Sequence, residues 1–369
     1  MSDDLSEARA LVTGLVGDRA GEWDRAGRIP TEVVRRLGEE GLLCAEVPAR
    51  FGGRGWSSLD NGGFTAHVGS LCSSLRSLMT SQGMAAWAVQ RFGSAAQRKH
   101  YLSRLTGGEL VGIGFSEPGA GSDLSAMGTT IRVEGDSVVV DGTKVWLTGA
   151  GYADLLVVVG RFGDGAAAVV AATTGAGVSV RPVPDPMGCR AAGHSTVELR
   201  DVRLPLDALL SGAGQPVSML VTTALTYGRV SVAWGCVGIL RACLTAATRH
   251  AASRVQSGRP LAEHQLVAGH LADLLVAEQV ATRVCEHASR CWDDSSPEMV
   301  TAAVVAKHVS ATNAARQAST AVQVLASAGA EDGHVVARAY RDAKLMEIIE
   351  GSNEICRLVL AEHALAVAS

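Results

Sequence analysis

Val138-Val139-Val140-Asp141-Gly142-Thr143-Lys144-Val145-Trp146 places β-forming residues on both sides of an Asp-Gly pair, the composition of a tight turn between antiparallel strands. Around it, Leu155–Val159, Ala168–Ala172, Val178–Val180 and Val197–Leu199 are short apolar segments separated by Gly, Pro and Asp. Several short strands at this spacing predict a small antiparallel β-barrel or sandwich. Prolines 182, 184, 186 and 205 mark the exit from it.

Outward from this region the periodicity becomes helical. Upstream, Ile29-Pro30-Thr31 precedes a segment that puts Val33, Val34 and Leu37 on one helical face. Phe64 to Gln90 is small-residue-rich and nearly uncharged, and predicts one long helix buried on most sides. Ser94 to Leu105 reads as a shorter amphipathic helix closed by Gly107-Gly108. Downstream, apolar residues recur at three and four positions to the C-terminus, as in a helical bundle. The fold class expected is α+β and multi-domain: an N-terminal helical domain (1–110), a middle β domain (111–208) and a C-terminal helical bundle (209–369).

Composition narrows the function. The 369 residues are 47% apolar and 19% charged, enough to fill sizeable cores and incompatible with a disordered chain. A formal charge of −4 argues against a general nucleic-acid binder. Unbroken apolar runs such as Leu155–Val159 fall well short of the roughly 20 residues of a membrane span. Met1-Ser2-Asp3-Asp4 is acidic and polar, so no signal peptide is expected. The eight cysteines form no C-x-x-C pair and none partners a histidine at zinc spacing, so buried free thiols, a reducing cytoplasm and no metal site are the expectation.

Four segments can carry chemistry. Gly114-Phe115-Ser116-Glu117-Pro118-Gly119-Ala120-Gly121-Ser122-Asp123 is a glycine-rich turn whose N–H groups can approach an anion, or equally a decorated surface turn. In Lys144-Val145-Trp146-Leu147-Thr148, strand alternation projects an aromatic ring and a hydroxyl from one face, unless Trp146 is barrel core. Arg254 ends a helix before a turn at Gly258-Arg259-Pro260, followed by His264-Gln265; its guanidinium can clamp a pyrophosphate or only complement a helix dipole. Finally, Arg341-Asp342-Ala343-Lys344 leads through Ile348-Ile349-Glu350-Gly351-Ser352-Asn353. A helix running to Ile349, broken at Gly351 and restarted at Ser352 or Asn353, leaves Glu350 at a junction among isoleucines. Such a carboxyl has a raised pKa and suits a general base, with Glu347 and Glu354 as rivals.

In this order and at these separations, the four segments with Gln323 resemble the acyl-CoA dehydrogenase family over nearly the whole chain. The resemblance implies FAD, a C-terminal four-helix bundle and a homodimer or homotetramer. It implies that Phe115, Ser116, Trp146 and Thr148 surround the flavin ring, with Ser116 and Thr148 bonding its polar edge. Gly121 and Ser122 belong to the FAD phosphate region, and Ser122 also to the thioester. Arg254, His264, Gln265 and Gln323 match the adenine-diphosphate half across a subunit interface, and Ser352 and Glu354 a further FAD contact. Glu350 matches the catalytic base, Gly351 a substrate contact, and Arg229 an arginine near the pantetheine or nucleotide end of the carrier. The base takes a proton from the substrate while flavin N5 accepts a hydride. Electrons pass to an electron-transfer flavoprotein or to oxygen.

Departures narrow the resemblance. Thr226 stands where many members carry aspartate, Ser257 replaces a phenylalanine, and Ala326-Ser327 replace a Gly-Gly pair. Together with His67–Ala86 and Val232–Ala242, these resemble the acyl-carrier-protein dehydrogenases that make hydroxymalonyl, later methoxymalonyl, extender units for polyketide antibiotics. The implied substrate is a glyceryl-derived thioester on an acyl carrier protein. The alternatives are a conventional short-chain acyl-CoA dehydrogenase, a flavin monooxygenase, which typically lacks the glutamate, and a scaffold that has lost FAD.

Overall fold

A computed structural model describes residues 3–368; Met1 and Ser2, part of the stretch read for a signal peptide, lie outside the described residues, as does Ser369. Strands β2 (Thr130–Glu134) and β3 (Ser137–Leu147) form the expected hairpin, but they turn at Gly135-Asp136 and not at Asp141-Gly142. Gly135 takes the left-handed φ of +58° that this turn requires. Asp141 and Gly142 lie inside β3, where its pairing with β7 (Ser195–Pro205) shifts register between Val140 and Gly142. A Cβ at Gly142 would stand 2.3 Å from Thr129 Oγ1, so the glycine serves a bulge and a close approach.

The remaining strands are β1 (Val111–Gly114), β4 (Leu155–Phe162), β5 (Gly165–Ala172) and β6 (Val178–Pro182). They complete a seven-stranded sheet in the order β1-β4-β2-β3-β7-β6, with β5 on β4. The sheet is mixed, correcting the antiparallel expectation: β1 runs parallel to β4, and β2 meets β4 in parallel at Thr130 and Arg161. Parallel pairing needs no local turn, and β1 and β4 are accordingly segments distant in the chain.

Among the described residues, six α-helices precede the sheet: α1 (Asp3–Val16), α2 (Ala20–Ala26), α3 (Thr31–Glu39), α4 (Ser58–Leu71), α5 (Ser73–Phe92) and α6 (Ala95–Thr106). Val33, Val34 and Leu37 of α3 are buried, as their spacing predicts. The single helix expected over Phe64–Gln90 is two, because Cys72 is extended at φ −155° and separates α4 from α5. Ser94 caps α6 in a reciprocal box with Gln97.

The C-terminal helices are α7 (Val217–Ser253), α8 (Gln265–Asp293), α9 (Met299–Leu325), α10 (Val335–Met346) and α11 (Asn353–Ala368). Helix α7 contacts α4, α5, α8, α9 and α10, and its small residues allow that close approach. By length and composition α7 is apolar enough to cross a membrane, a property missed by searching for unbroken apolar runs. Within its most apolar window, 72% is buried in the protein, so it is a core helix here. All eight cysteines are buried free thiols. One of them does partner a histidine: on α8, Cys291 Sγ lies 3.7 Å from His287 Nε2, and these two and Glu298 offer ligand atoms within 4.8 Å of one another.

Candidate active site

Helix α10 ends at Met346, three residues before the expected Ile349. The chain crosses to α11 through Glu350 and Gly351 at φ +56° and +83°. Left-handed backbone costs a non-glycine residue about 1–2 kcal/mol, so Glu350 is held there by its surroundings. Arg229 Nε on α7 donates to the Glu350 carbonyl at 3.1 Å. Lys307 Nζ on α9 donates to the Gly351 carbonyl at 2.8 Å, the Glu347 carbonyl at 3.3 Å and Asn353 Oδ1 at 3.2 Å. Neither cation hydrogen-bonds the Glu350 carboxylate: the bond from Arg229 goes to backbone, and those from Lys307 go to backbone and Asn353.

That carboxylate points to where α5 and α7 meet. Its Oε2 is sealed from solvent and accepts no hydrogen bond. Gly228 makes the room: a Cβ there would lie 2.5 Å from Glu350 Oε2 and 2.7 Å from Met84 Sδ. Burial raises the Glu350 pKa to about 7, with the charges of Arg229, Lys307 and Arg76 opposing the rise. A carboxyl that titrates near neutrality and lacks a partner can take a proton from a molecule placed beside it.

Strand β3 and the glycine-rich loop form a second wall. Val145 N–H donates to the Ser116 carbonyl at 2.9 Å, which sets Ser116 beside Trp146. Trp146 is 51% exposed, with φ +56° at a register shift in β3, so it is not barrel core. Its ring stands edge-on to His194 at 5.7 Å, and His194 Nδ1 lies 3.2 Å from Thr148 Oγ1. Trp146 and Thr148 thus share one neighbourhood through a bulge and not through plain alternation. His194 Nε2 is buried without a partner, and burial holds the imidazole down at about 4, hence neutral. An open aromatic face beside hydroxyls and an unpaired ring nitrogen fits a flat heterocycle with a polar edge, as a flavin has. Phe115 is buried at the end of β1. Ser81 Oγ on α5 donates to the Thr148 carbonyl at 2.8 Å, joining this wall to the helix that carries Met84.

The loop itself is anchored from below. Lys144 is fully buried and donates to Glu117 Oε1 at 2.6 Å and to the Phe115 carbonyl at 3.1 Å. Burial lowers Lys144 to about 8, against the pull of Glu117. Glu117 also accepts from the N–H groups of Gly128 at 2.6 Å and Thr129 at 3.0 Å. Gly121 and Ser122 project from this clamped loop into solvent.

The other expected cofactor residues lie apart from this centre. Arg254 caps α7 and leads into a two-residue hairpin, β8 (Val255–Gln256) and β9 (Arg259–Pro260), turning at Ser257 and Gly258 with positive φ. His264 Nε2 lies 3.1 Å from the Gln256 carbonyl, which pins the start of α8 to that hairpin. Arg254, Gln265, Gln323 and Glu354 are exposed, while Ser352 is half-buried at the start of α11. Arg229, placed by resemblance near the carrier's far end, is buried against the Glu350 junction.

Sequence reading missed Lys144, Lys307, Arg76, His194 and Gly228. One signal was available: only four of the 33 basic residues are lysines (99, 144, 307 and 344), and two of those are fully buried. A cavity of about 230 Å³ lies next to the α5–α7 contact, bounded by Glu46, Gly83, Trp87, Tyr227 and Trp292. Burial raises Glu46 to about 7, although Asn61 Nδ2 donates to it at 2.7 Å.

A buried unpartnered carboxylate beside Met84 of α5, and a tryptophan–threonine–histidine wall joined to the same helix through Ser81, within an α-β-α chain, define a flavin-dependent dehydrogenase. The acyl-CoA dehydrogenase N-terminal, middle and C-terminal domains match residues 5–109, 112–202 and 218–365. The chain is 32% identical over 353 residues to the mouse mitochondrial short-chain specific acyl-CoA dehydrogenase, covering 94% of this chain and 85% of that one. It belongs to the acyl-CoA dehydrogenase family, and FAD is the cofactor. Among solved structures, butyryl-CoA dehydrogenase from Megasphaera elsdenii superposes with a TM-score of 0.93 at 25% identity over 99% of both chains. FkbI, for biosynthesis of the methoxymalonyl extender unit of the Fk520 polyketide immunosuppressant, is 62% identical with a TM-score of 0.93, over 97% of this chain and 99% of that one.

Proposed function

We propose that this protein oxidises a small, glyceryl-derived acyl thioester on an acyl carrier protein toward hydroxymalonyl-ACP, with Glu350 as the base. The observation that carries the reading is the sealed, unpartnered Glu350 Oε2 at the α5–α7 contact. The choice of substrate is supported by the 62% likeness to FkbI.

Bound FAD supplies a two-electron acceptor for the hydride that leaves the substrate carbon. The chain supplies the proton acceptor. In an aldehyde hydrate, the hydroxyl proton goes to Glu350 as the C–H bond is broken, and a carboxyl group remains. In an α,β-dehydrogenation the same carboxylate takes the C2 proton, which the thioester carbonyl acidifies. Arg229 and Lys307 keep Glu350 aimed by holding its backbone, and Gly228 leaves its oxygen unobstructed. Trp146, Thr148 and His194 line the face offered to the flavin ring, Ser116 adjoins it, and Lys144–Glu117 fixes the loop that carries Ser116. Exposed Arg254, Gln265 and Gln323 are assigned to the adenine-diphosphate half, reached across a homodimer or homotetramer interface. An electron-transfer flavoprotein or oxygen reoxidises the enzyme, in the cytoplasm.

The second reading is a short-chain acyl-CoA dehydrogenase, favoured by the likeness to the mouse enzyme. Purified holoenzyme offered matched carrier-protein and CoA thioesters separates the two. Faster flavin bleaching with the carrier-bound substrate, and mass spectrometry of the carrier showing the acyl group converted to hydroxymalonyl, support the first. Faster bleaching with CoA overturns it.

A further inference from the structure

Among the described residues, Cys291 is the one cysteine whose thiol meets an imidazole. It lies four residues beyond His287 on α8, so both side chains leave the same face of the helix. Cys291 is 7% exposed, and its Sγ lies 3.7 Å from His287 Nε2. Helix α8 ends at Asp293, and the chain reverses into α9 through Ser295, which holds a left-handed φ of +51°. Ser296 N–H donates to the Cys291 carbonyl at 2.8 Å, which folds the turn back over that face. Glu298, at the N-cap of α9, is thereby brought to the pair, and the ligand atoms of all three lie within 4.8 Å of one another.

These side chains are uncommitted. Apart from the thiol–imidazole contact, none of the three makes a side-chain hydrogen bond or ion pair elsewhere among the described residues. The arginines nearest in sequence are taken: Arg283 pairs with Glu286 at 2.9 Å and Arg290 with the same carboxylate at 3.5 Å, which leaves Glu298 without a counter-charge. The spacing suits a tetrahedral ion. Zinc–sulfur and zinc–nitrogen bonds of about 2.3 and 2.1 Å, at a tetrahedral angle, set the two ligand atoms about 3.6 Å apart. Rotation of the exposed Glu298 side chain closes the remaining gap. A thiolate and a carboxylate together balance a dication, the thiol proton passing to solvent. Sulfur and imidazole ligands select zinc over magnesium or calcium, which take oxygen.

We propose that His287, Cys291 and Glu298 form a zinc site, completed by one water, that fastens the turn between α8 and α9. The turn anchors more than itself. Asp293 beside it accepts from the N–H groups of Ser58 at 2.6 Å and Leu59 at 3.2 Å, at the start of α4. None of the three ligands belongs to the machinery around Glu350, so the proposal stands independently of the function assigned there.

The test uses FAD-loaded enzyme freed of metal by a chelator and then dialysed against micromolar free Zn²⁺, with a phosphine reductant to keep Cys291 a thiol. One zinc per chain is expected to remain. X-ray absorption at the zinc edge should show one sulfur at about 2.3 Å, with nitrogen and oxygen at about 2.0–2.2 Å. His287→Ala, at an exposed position, and Cys291→Ser should each weaken retention by about 100-fold, and Glu298→Gln by about tenfold, with the flavin spectrum unchanged. Should Cys291→Ser not fold, His287→Ala decides the matter alone. Equal retention by His287→Ala, which adventitious binding at other histidines would give, overturns the proposal. So does a zinc shell without sulfur. A thiol–imidazole hydrogen bond and nothing more predicts that wild type keeps no zinc at micromolar concentration, and that result overturns it as well.

Discussion

A Cβ at position 228 would stand 2.5 Å from the Oε2 of Glu350, so the glycine on α7 and the carboxylate at the α10–α11 junction are matched in shape. Gly228→Ala should push the carboxylate off its line while costing only about 1–3 kcal/mol of overpacking. The expected result is a fall in kcat of about 100-fold with FAD still bound, checked by steady-state kinetics beside the flavin spectrum.

The pH dependence follows from the environment of Glu350. Its pKa is raised from the usual 4.5 to about 7, so the proton-accepting form becomes the majority only above neutrality. The acid limb of kcat/KM should therefore fall near pH 7. Arg229→Gln removes a charge that holds this pKa down, so the limb should move to higher pH. A pH–rate profile of both proteins checks the two expectations together.

The same shift has a stability consequence with a definite sign. A folded pKa above the unfolded value means that the folded protein binds the extra proton between pH 4.5 and 7. Glu350 therefore destabilises the fold progressively as pH rises through that window, with the full penalty above it. Glu350→Gln carries no such penalty, so its Tm advantage over wild type should grow from pH 5 to pH 8. Thermal melts across that range measure it.

Breaking the Lys144–Glu117 pair leaves a carboxylate in a largely buried place, which costs about 3–5 kcal/mol. Lys144→Met should lower the denaturation midpoint and loosen FAD, because the clamped loop carries Ser116. Arg254→Ala, on an exposed hairpin, should weaken FAD retention with little change in the denaturation midpoint of the apoprotein. Dialysis against FAD-free buffer, followed by flavin quantification, separates the two.

The order α-β-α was legible because it rests on local periodicity, and the junction that holds Glu350 was legible because Gly351, which ends the helical pattern, adjoins it; the choice of Glu350 over Glu347 and Glu354 came from the resemblance. Local composition misled where two turn signals competed. Gly135-Asp136 makes the hairpin, while Asp141-Gly142 is held within β3 by its pairing to β7 and by the approach of Thr129. The division between α4 and α5 at Cys72 had no Pro or Gly to announce it. The buried cations were illegible for a different reason: Arg76 meets Met346 across 270 residues and Lys307 meets Gly351 across 44, so nothing beside either residue marks it as buried.

The central claim is that Glu350 removes the substrate proton. Its most direct test is anaerobic single-turnover reduction of FAD-loaded Glu350→Gln by the carrier-bound thioester, followed at the flavin absorption band. The account predicts that the variant stays yellow, with reduction slowed by about 100-fold or more, since the isosteric amide cannot accept the proton. Bleaching at the wild-type rate would contradict it.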